Sequence, residues 1–293
     1  MYGKMTLVAD SGSTKTSWLL RRRGHDDVRV ESVGLNPVRD ADSTISAVIG
    51  GVAATLESYL SVEPDRGLQG RWRSTLDIFF YGAGCIEPFK ASVERALEQS
   101  FAGSIVAVES DLLGAARALC GHGEGIACIL GTGSNSCLYD GHKIVANIPP
   151  LGWILGDEGS GAVLGRRLVG DALKGELGDA LCSQLLARFA LSQADIIDRV
   201  YRQPQANRFL ASLVPFLVEN RAEECIHELI TDSFRAFFRR NVKKYGRDDL
   251  PVNFVGGIAS QFADELLQSA EAEGLIVGRI ERSPITLMAA FHD

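Results

Sequence analysis

The sequence predicts an α/β protein built from a duplicated domain, on three observations. Short apolar strands alternate with amphipathic helices through the first half, the same alternation restarts at Gly125, and two similar glycine-and-hydroxyl turns lie about 120 residues apart. With 293 residues the chain fills one large domain or two of ordinary size.

In chain order, "MTLVAD" (5–10), "SWLLRRR" (17–23) and the alternating "VRVESV" (28–33) read as three strands joined by short turns, an antiparallel meander. The Arg-rich "LLRRRGHDD" is the tip of one hairpin. Ile45, Val48, Ile49, Val52, Leu56 and Tyr59 recur at helical spacing, and "LDIFFYGAG" then runs apolar into glycines as a buried strand. A helix over 87–101, the strand "SIVAV" and a helix opening at Asp111 continue the alternation.

From Gly125, "GIACIL" is a strand, "GTGSNS" a turn, and "CLYDGHKIVAN" two strands around an Asp140-Gly141 hairpin signal. Beyond Pro150 amphipathic spacing predicts helices over 158–175, 179–190, 207–219 and 222–245. A strand "VNFVGG", a helix over 260–273 and a closing helical segment "SPITLMAAFHD" follow.

Composition excludes several classes of function. Hydrophobic residues make up 46% and charged residues 23%, values typical of globular chains. Thirty basic residues against 37 acidic ones give a net charge of −7 without a Lys/Arg block, which argues against nucleic-acid and anionic-membrane partners. The N-terminus lacks signal-peptide features and no run reaches the ~18 apolar residues of a membrane span, so a cytoplasmic protein is expected. Six scattered cysteines without a C-x-x-C pair give no sign of zinc or an iron–sulfur cluster.

"DSGSTKTSWLL" and "GTGSNSCLY" share a strand, a small hydroxylated residue, a Gly-Ser pair and a second strand. Glycine leaves room for backbone N–H groups to face an anion, and the hydroxyls of Ser11, Ser13, Thr14, Thr16, Thr132 and Ser134, with the Lys15 charge, can hold phosphate. The same residue types also make ordinary hairpins. Asp10 suits a Mg²⁺ bridging phosphates or a local turn hydrogen bond. Asp111 suits a catalytic base or a helix N-cap.

Four segments in fixed order, "ADSGSTKT", "GIACILGTGSNS", "LGWILGDEGSGA" and "FVGGIAS", resemble the phosphate-1, phosphate-2, substrate and adenosine segments of the actin/hexokinase/Hsp70 ATPase superfamily. Within it they resemble the BadF/BadG/BcrA/BcrD-type ATPases, in particular bacterial N-acetylglucosamine kinases. The resemblance implies a two-lobed, duplicated actin-like (ribonuclease H-like) α/β fold, each lobe a mixed sheet flanked by helices. The N-terminal lobe would span 1–110 with residues 284–293 packing back on it, and the C-terminal lobe 111–283 with a helical insertion over 158–250.

The resemblance further implies an ATP-dependent, Mg²⁺-using amino-sugar kinase and a homodimer. The acceptor would be the 6-hydroxyl of N-acetylglucosamine, with N-acetylmuramic acid and glucosamine as rival substrates. Asp10 would organise the metal. Gly12, Ser13, Thr14, Lys15, Thr132 and Gly133 would line the ATP phosphates, and Ala211, Gly256, Gly257 and Ala259 would approach the adenosine. Asp111 would be the base. Asn36, Ser134, Asn135, Trp153 and Asp157 would hold the sugar, with core packing an equal role for Trp153. Glu158 is read as the start of a helix, complementing its dipole. An ATPase that activates a protein partner, and a binding module without chemistry, are the other classes compatible with such a fold.

Overall fold

The computed structural model describes residues 5–12, 14–62 and 72–293; Ser13, expected at the ATP phosphates, lies outside them. The chain divides into two compact units, Met1–Gly121 with Pro284–Asp293, and His122–Ser283.

In the first unit the strands β1 (Met5–Ser11), β2 (Lys15–Arg22) and β3 (Val28–Val33) form the antiparallel meander. Beside it β4 (Leu76–Gly82) runs parallel to β1 and β5 (Ile105–Ser110) parallel to β4, giving the order β3-β2-β1-β4-β5. Alternate residues of β1 serve two cores. Met5, Leu7 and Ala9 pack in one apolar cluster with Ile45, Ile49, Val52 and Leu56 of helix α1 (Asp42–Val62) and Val93, Ala96 and Leu97 of α2 (Lys90–Ser100). Val8 packs on the other face, with Ala118 of α3 (Asp111–Cys120) and Ile285, Met288 and Ala289 near the C-terminus. Burial on both faces explains the unbroken apolar run. Tyr59 of α1, counted on the apolar stripe, is 51% exposed, and Leu60 takes the buried position.

The division between units falls after Gly121 and not at 110/111. Helix α3 packs on β1, β4 and β5 of the first unit, and glycine at 114 lets Tyr81 and Met288 close on it; a Cβ there would meet both at 2.6 Å.

In the second unit β6 (Gly125–Leu130), β7 (Ser134–Tyr139), β8 (Ile144–Ala146), β9 (Val252–Val255) and β10 (Val277–Glu281) repeat the topology. Their order is β10-β9-β6-β7-β8, again a meander followed by two parallel strands. Between β8 and β9 lie α4 (Gly152–Leu155), α5 (Gly161–Leu173), α6 (Gly178–Phe189), α7 (Gln193–Tyr201), α8 (Ala206–Ala211), α9 (Val214–Glu219) and α10 (Glu224–Arg240). After β9 come α11 (Gly257–Gln261) and α12 (Ala263–Ala272), and after β10 comes α13 (Ile285–Phe291), which belongs to the first unit.

Several helices are shorter than the periodicity predicts. The 207–219 helix is two, α8 and α9, with Pro215 in the first turn of α9, where its missing N–H costs nothing. The 222–245 helix ends at Arg240 and closes with a 3₁₀ turn, and the 260–273 helix breaks at the buried Phe262. Helix α7 was not read from the sequence, although Ser192 and Asp195 form the capping box that starts it.

Helices α5 and α8 touch so closely at Gly165 that an added Cβ would fall on the Leu210 carbonyl, with Leu210 Cα only 3.1 Å away. Because backbone cannot rotate away as a side chain can, Gly165→Ala is expected to destabilise the second unit by about 1–3 kcal/mol, measured by urea unfolding.

Candidate active site

The first unit contributes two carboxylates at the C-terminal ends of parallel strands. Asp10 lies on the face of β1 that carries Val8, the side against which α3 packs. Burial, reinforced by the charge of Asp111 and only partly offset by Lys15, pushes its carboxyl up to about 7. Asp111 follows β5 directly. Ser110 is the N-cap of α3, its hydroxyl accepting from the Leu113 N–H at 3.2 Å, so Asp111 is the first helical residue and the capping role falls to its neighbour. Asp111 Oδ1 accepts from the adjacent Leu112 N–H at 2.9 Å, its own backbone N–H also contributes, and burial outweighs both, raising its carboxyl to about 6.

The β1–β2 turn is braced from behind. Ser11 and Thr16, fully buried, share a 2.7 Å hydrogen bond; Ser11 is also bonded to Leu35, and Thr16 donates to the Val33 carbonyl. These two hydroxyls are therefore committed to the fold, against the expectation that they face phosphate. Gly12 N–H donates to the Lys15 carbonyl and Gly34 N–H to the Thr14 carbonyl. Thr14 is exposed at the turn, and the Lys15 ammonium pairs with Glu31 at 2.7 Å.

Gly34, unnoticed in the sequence, shapes this turn. A Cβ there would overlap the Gly12 carbonyl and lie 2.9 Å and 3.0 Å from the Thr14 and Lys15 nitrogens. Gly34→Ala is expected to displace the turn, shifting the backbone amide resonances of Gly12, Thr14 and Lys15, while circular dichroism keeps its native form. Beside it, Asn36 Oδ1 accepts from the Val38 N–H at 3.0 Å, and Gly84 packs against that oxygen.

In the second unit the β6–β7 turn rests on the N-terminus of α5. The Gly131 carbonyl accepts from Gly161 N–H (2.8 Å) and the Thr132 carbonyl from Ala162 N–H (3.1 Å). In a trans peptide the N–H points opposite to the C=O, so the N–H groups of Thr132 and Gly133 turn away from the helix. Neither has a hydrogen-bond partner among the described residues. The positive end of α5 polarises both peptide units, which makes their N–H groups stronger donors toward an anion.

Asp157 closes the same turn. Its carboxylate accepts from the Ser134 and Gly152 N–H groups, yet burial, aided by the charge of Glu158, holds it up at about 6. Gly133 leaves space for Asp157 Oδ2, 3.1 Å from where a Cβ would stand. Asp157 has φ +50°, a left-handed conformation uncommon for a residue with a side chain, and its N–H is held by the Pro150 carbonyl at 2.8 Å. Asn135, on β7 next to Ser134, accepts through Oδ1 from the Ser136 N–H.

Gly161 gathers three further segments: an added Cβ would lie 3.2 Å from Ala211 Cβ, 3.2 Å from Ile258 Cδ1 and 3.4 Å from the Gly131 carbonyl. Ala211 and the glycine pair Gly256-Gly257 are thus brought beside the β6–β7 turn. Gly256, at φ +129°, lies against the Leu130 carbonyl with no room for a Cβ. Ala259 is fully buried, backbone included, in the apolar core, so it shapes this corner without presenting a surface. Trp153 packs half-buried against the same core, and Arg166 holds its carbonyl at 2.8 Å.

Glu158 does not open a helix. Helix α5 starts at Gly161 with Ser160 as its cap, and Glu158 instead accepts from Arg240 Nε (2.9 Å) and Asn241 Nδ2 (3.2 Å). All six cysteines are free thiols. Among the described residues no cluster of three or more His, Cys, Asp or Glu is placed to hold a metal, and no helix is long and apolar enough to cross a membrane.

No family model and no curated protein matches the chain. Among solved structures it is similar to a provisionally named N-acetylglucosamine kinase of Porphyromonas gingivalis, at 40% identity over 98% of each chain with a TM-score of 0.85. A second protein so named, from Chromobacterium violaceum, is 19% identical over 99% of each chain, with a TM-score of 0.68. The ethanolamine utilization protein EutJ of Carboxydothermus hydrogenoformans is 14% identical, covering 99% of this chain and 89% of its own, with a TM-score of 0.52. The last two share the fold alone, which is the duplicated actin-like α/β architecture. At 40% identity across nearly its whole length, the chain belongs to the family of the Porphyromonas gingivalis protein.

Proposed function

We propose that the protein is an ATP-dependent amino-sugar kinase of the BadF/BadG type, which transfers the γ-phosphoryl group of ATP to the 6-hydroxyl of N-acetylglucosamine or a close relative. The observation that carries this reading is Asp111: a carboxylate freed from capping by Ser110, raised by burial to about 6, and placed where a parallel strand gives way to a helix. A base of that strength is ionised at neutral pH and still takes up a proton readily.

In the proposed reaction the sugar oxygen bonds to the γ-phosphorus, the bond from that phosphorus to the β-phosphate oxygen breaks, and ADP leaves. The hydroxyl proton passes to Asp111. The turn residues Gly12, Thr14, Thr132 and Gly133 hold the phosphates, the outward N–H groups of Thr132 and Gly133 being the clearest donors. Lys15 adds a charge, and Ala211, Gly256 and Gly257 flank the adenosine, with Ala259 buried in the core next to the glycine pair. Asn36, Ser134, Asn135 and Asp157 orient the sugar, while the segment around Trp153 borders its substituent.

Asp10 suits Mg²⁺. Its carboxylate is raised by burial and by the neighbouring charge of Asp111, so it gains from a cation, and a hard cation takes oxygen donors of this kind while keeping its waters. When bound, the metal supplies neutralisation of phosphate charge.

The test is ADP release coupled to NADH oxidation, with N-acetylglucosamine, N-acetylmuramic acid and glucosamine offered in turn. Sugar-stimulated turnover with at least one of them, and phosphate at O6 of the product by NMR, is the expected result. Absence of stimulation by all three refutes the proposal.

A further inference from the structure

An asparagine amide offers a ligand either a carbonyl acceptor or two N–H donors, and what it offers depends on which end the protein occupies. In Asn135 that choice is fixed. Its Oδ1 accepts from the Ser136 N–H at 2.9 Å and from Asn147 Nδ2 at 2.9 Å. A backbone N–H can only donate, so the oxygen must lie on that side. Asn147 is itself oriented, because its Nδ2 also donates to the Ser136 carbonyl at 2.7 Å. The segment carrying it is anchored by Tyr245, whose hydroxyl accepts from the Ile148 N–H at 3.2 Å and bonds Ser136 Oγ at 2.8 Å. Asn135 Nδ2, by contrast, makes no hydrogen bond among the described residues.

We propose that Asn147 is a positioning residue that locks Asn135 with its NH₂ group outward, so that the ligand group Asn135 meets is a hydrogen-bond acceptor, a carbonyl or hydroxyl oxygen. For the identity of the ligand as an amino sugar this rests on the proposed function. Asn36 in the first unit shows the same polarity, its Oδ1 held by the Val38 N–H. Both amides therefore act as donors, which leaves the carboxylates to receive the sugar's O–H protons. Asn147 reaches the ligand only through Asn135, and it is exposed, so its replacement spares the core.

The test compares Asn147→Ala, Asn147→Asp, Asn135→Ala and the Asn135→Ala/Asn147→Ala double variant. In Asn147→Ala the side-chain amide resonance of Asn135, assigned by its loss in Asn135→Ala, is expected to shift or broaden. The KM for sugar is expected to rise roughly 5–30-fold, with kcat and the KM for ATP within about twofold. Asn147→Asp, which sets a carboxylate against two carbonyl oxygens, should be worse than Asn147→Ala. The double variant should bind sugar no more weakly than Asn135→Ala, as expected when one residue acts through the other. An unchanged Asn135 resonance, or effects that add in the double variant, overturns the proposal. Should the wild-type protein turn over no sugar, the proposed function fails, and the amide resonance still decides whether Asn147 positions Asn135.

Discussion

Asp111→Asn is expected to lower kcat by ~10²–10⁴ while leaving the affinities for ATP and sugar within a few-fold. Asparagine keeps the shape and the hydrogen bond to the Leu112 N–H, but it cannot take the hydroxyl proton. Since Ser110 caps α3, the substitution leaves the cap in place, and because burial raises the Asp111 carboxyl the thermal midpoint at neutral pH should hold or rise. Loss of turnover together with loss of stability would return Asp111 to a structural role. The pH profile of the wild type supplies the second arm. A base raised to about 6 is protonated below that value, so kcat/KM should fall roughly tenfold per pH unit in more acidic solution. That limb should be shallower in the residual activity of Asp111→Asn, which keeps only the titration of Asp10 and Asp157.

Asp10→Asn should move activity and stability in opposite directions. Without the carboxylate, the Mg²⁺ concentration for half-maximal rate should rise and kcat fall by ~10²–10³. The ligand-free protein should become more stable at pH 8. With the folded-state carboxyl at about 7 and an ordinary value of 3.8, the folded chain retains a proton between those values that the unfolded chain has released. Stability therefore falls as pH rises through that window, and the full cost persists above it. Asparagine removes the cost, a gain of about 1–4 kcal/mol that should shrink to nothing below pH 4. Differential scanning calorimetry at pH 4 and pH 8 reads both ends; an equal or lower midpoint for the variant at pH 8 would contradict the account. A residue that destabilises its own fold while serving turnover is the usual trade at a functional site.

The strands were readable because each is a short apolar run stopped by glycine or a charged turn, and the duplicated topology followed from the two similar hairpins. Helix lengths were less so. Periodicity continues across Pro215 and Phe262, where backbone constraints divide one helix into two. At the candidate site, residues on the turns themselves stood out by type: Thr132, Gly133 and Asp157 are collected around the start of α5. What stayed hidden depends on contacts between distant segments. Gly34 reads as a loop glycine until Gly12 is seen against it, and Asn147 as a polar surface residue until its amide is found on Asn135. The neighbours Ser110 and Asp111 are both good caps by type, and only backbone geometry decides which one caps.

The C-terminal helix α13 sets the order in which the chain can mature. It follows β10 of the second sheet, yet it packs on β1, β2 and α3, covering Val8, Leu19 and Tyr81 of the first unit. During synthesis, residues 5–121 leave the ribosome well before residues 285–291 exist, so the first unit must wait with that apolar face uncovered. A nascent chain halted before Ile285 should therefore be sensitive to protease in the first unit until the seven residues of this helix are released.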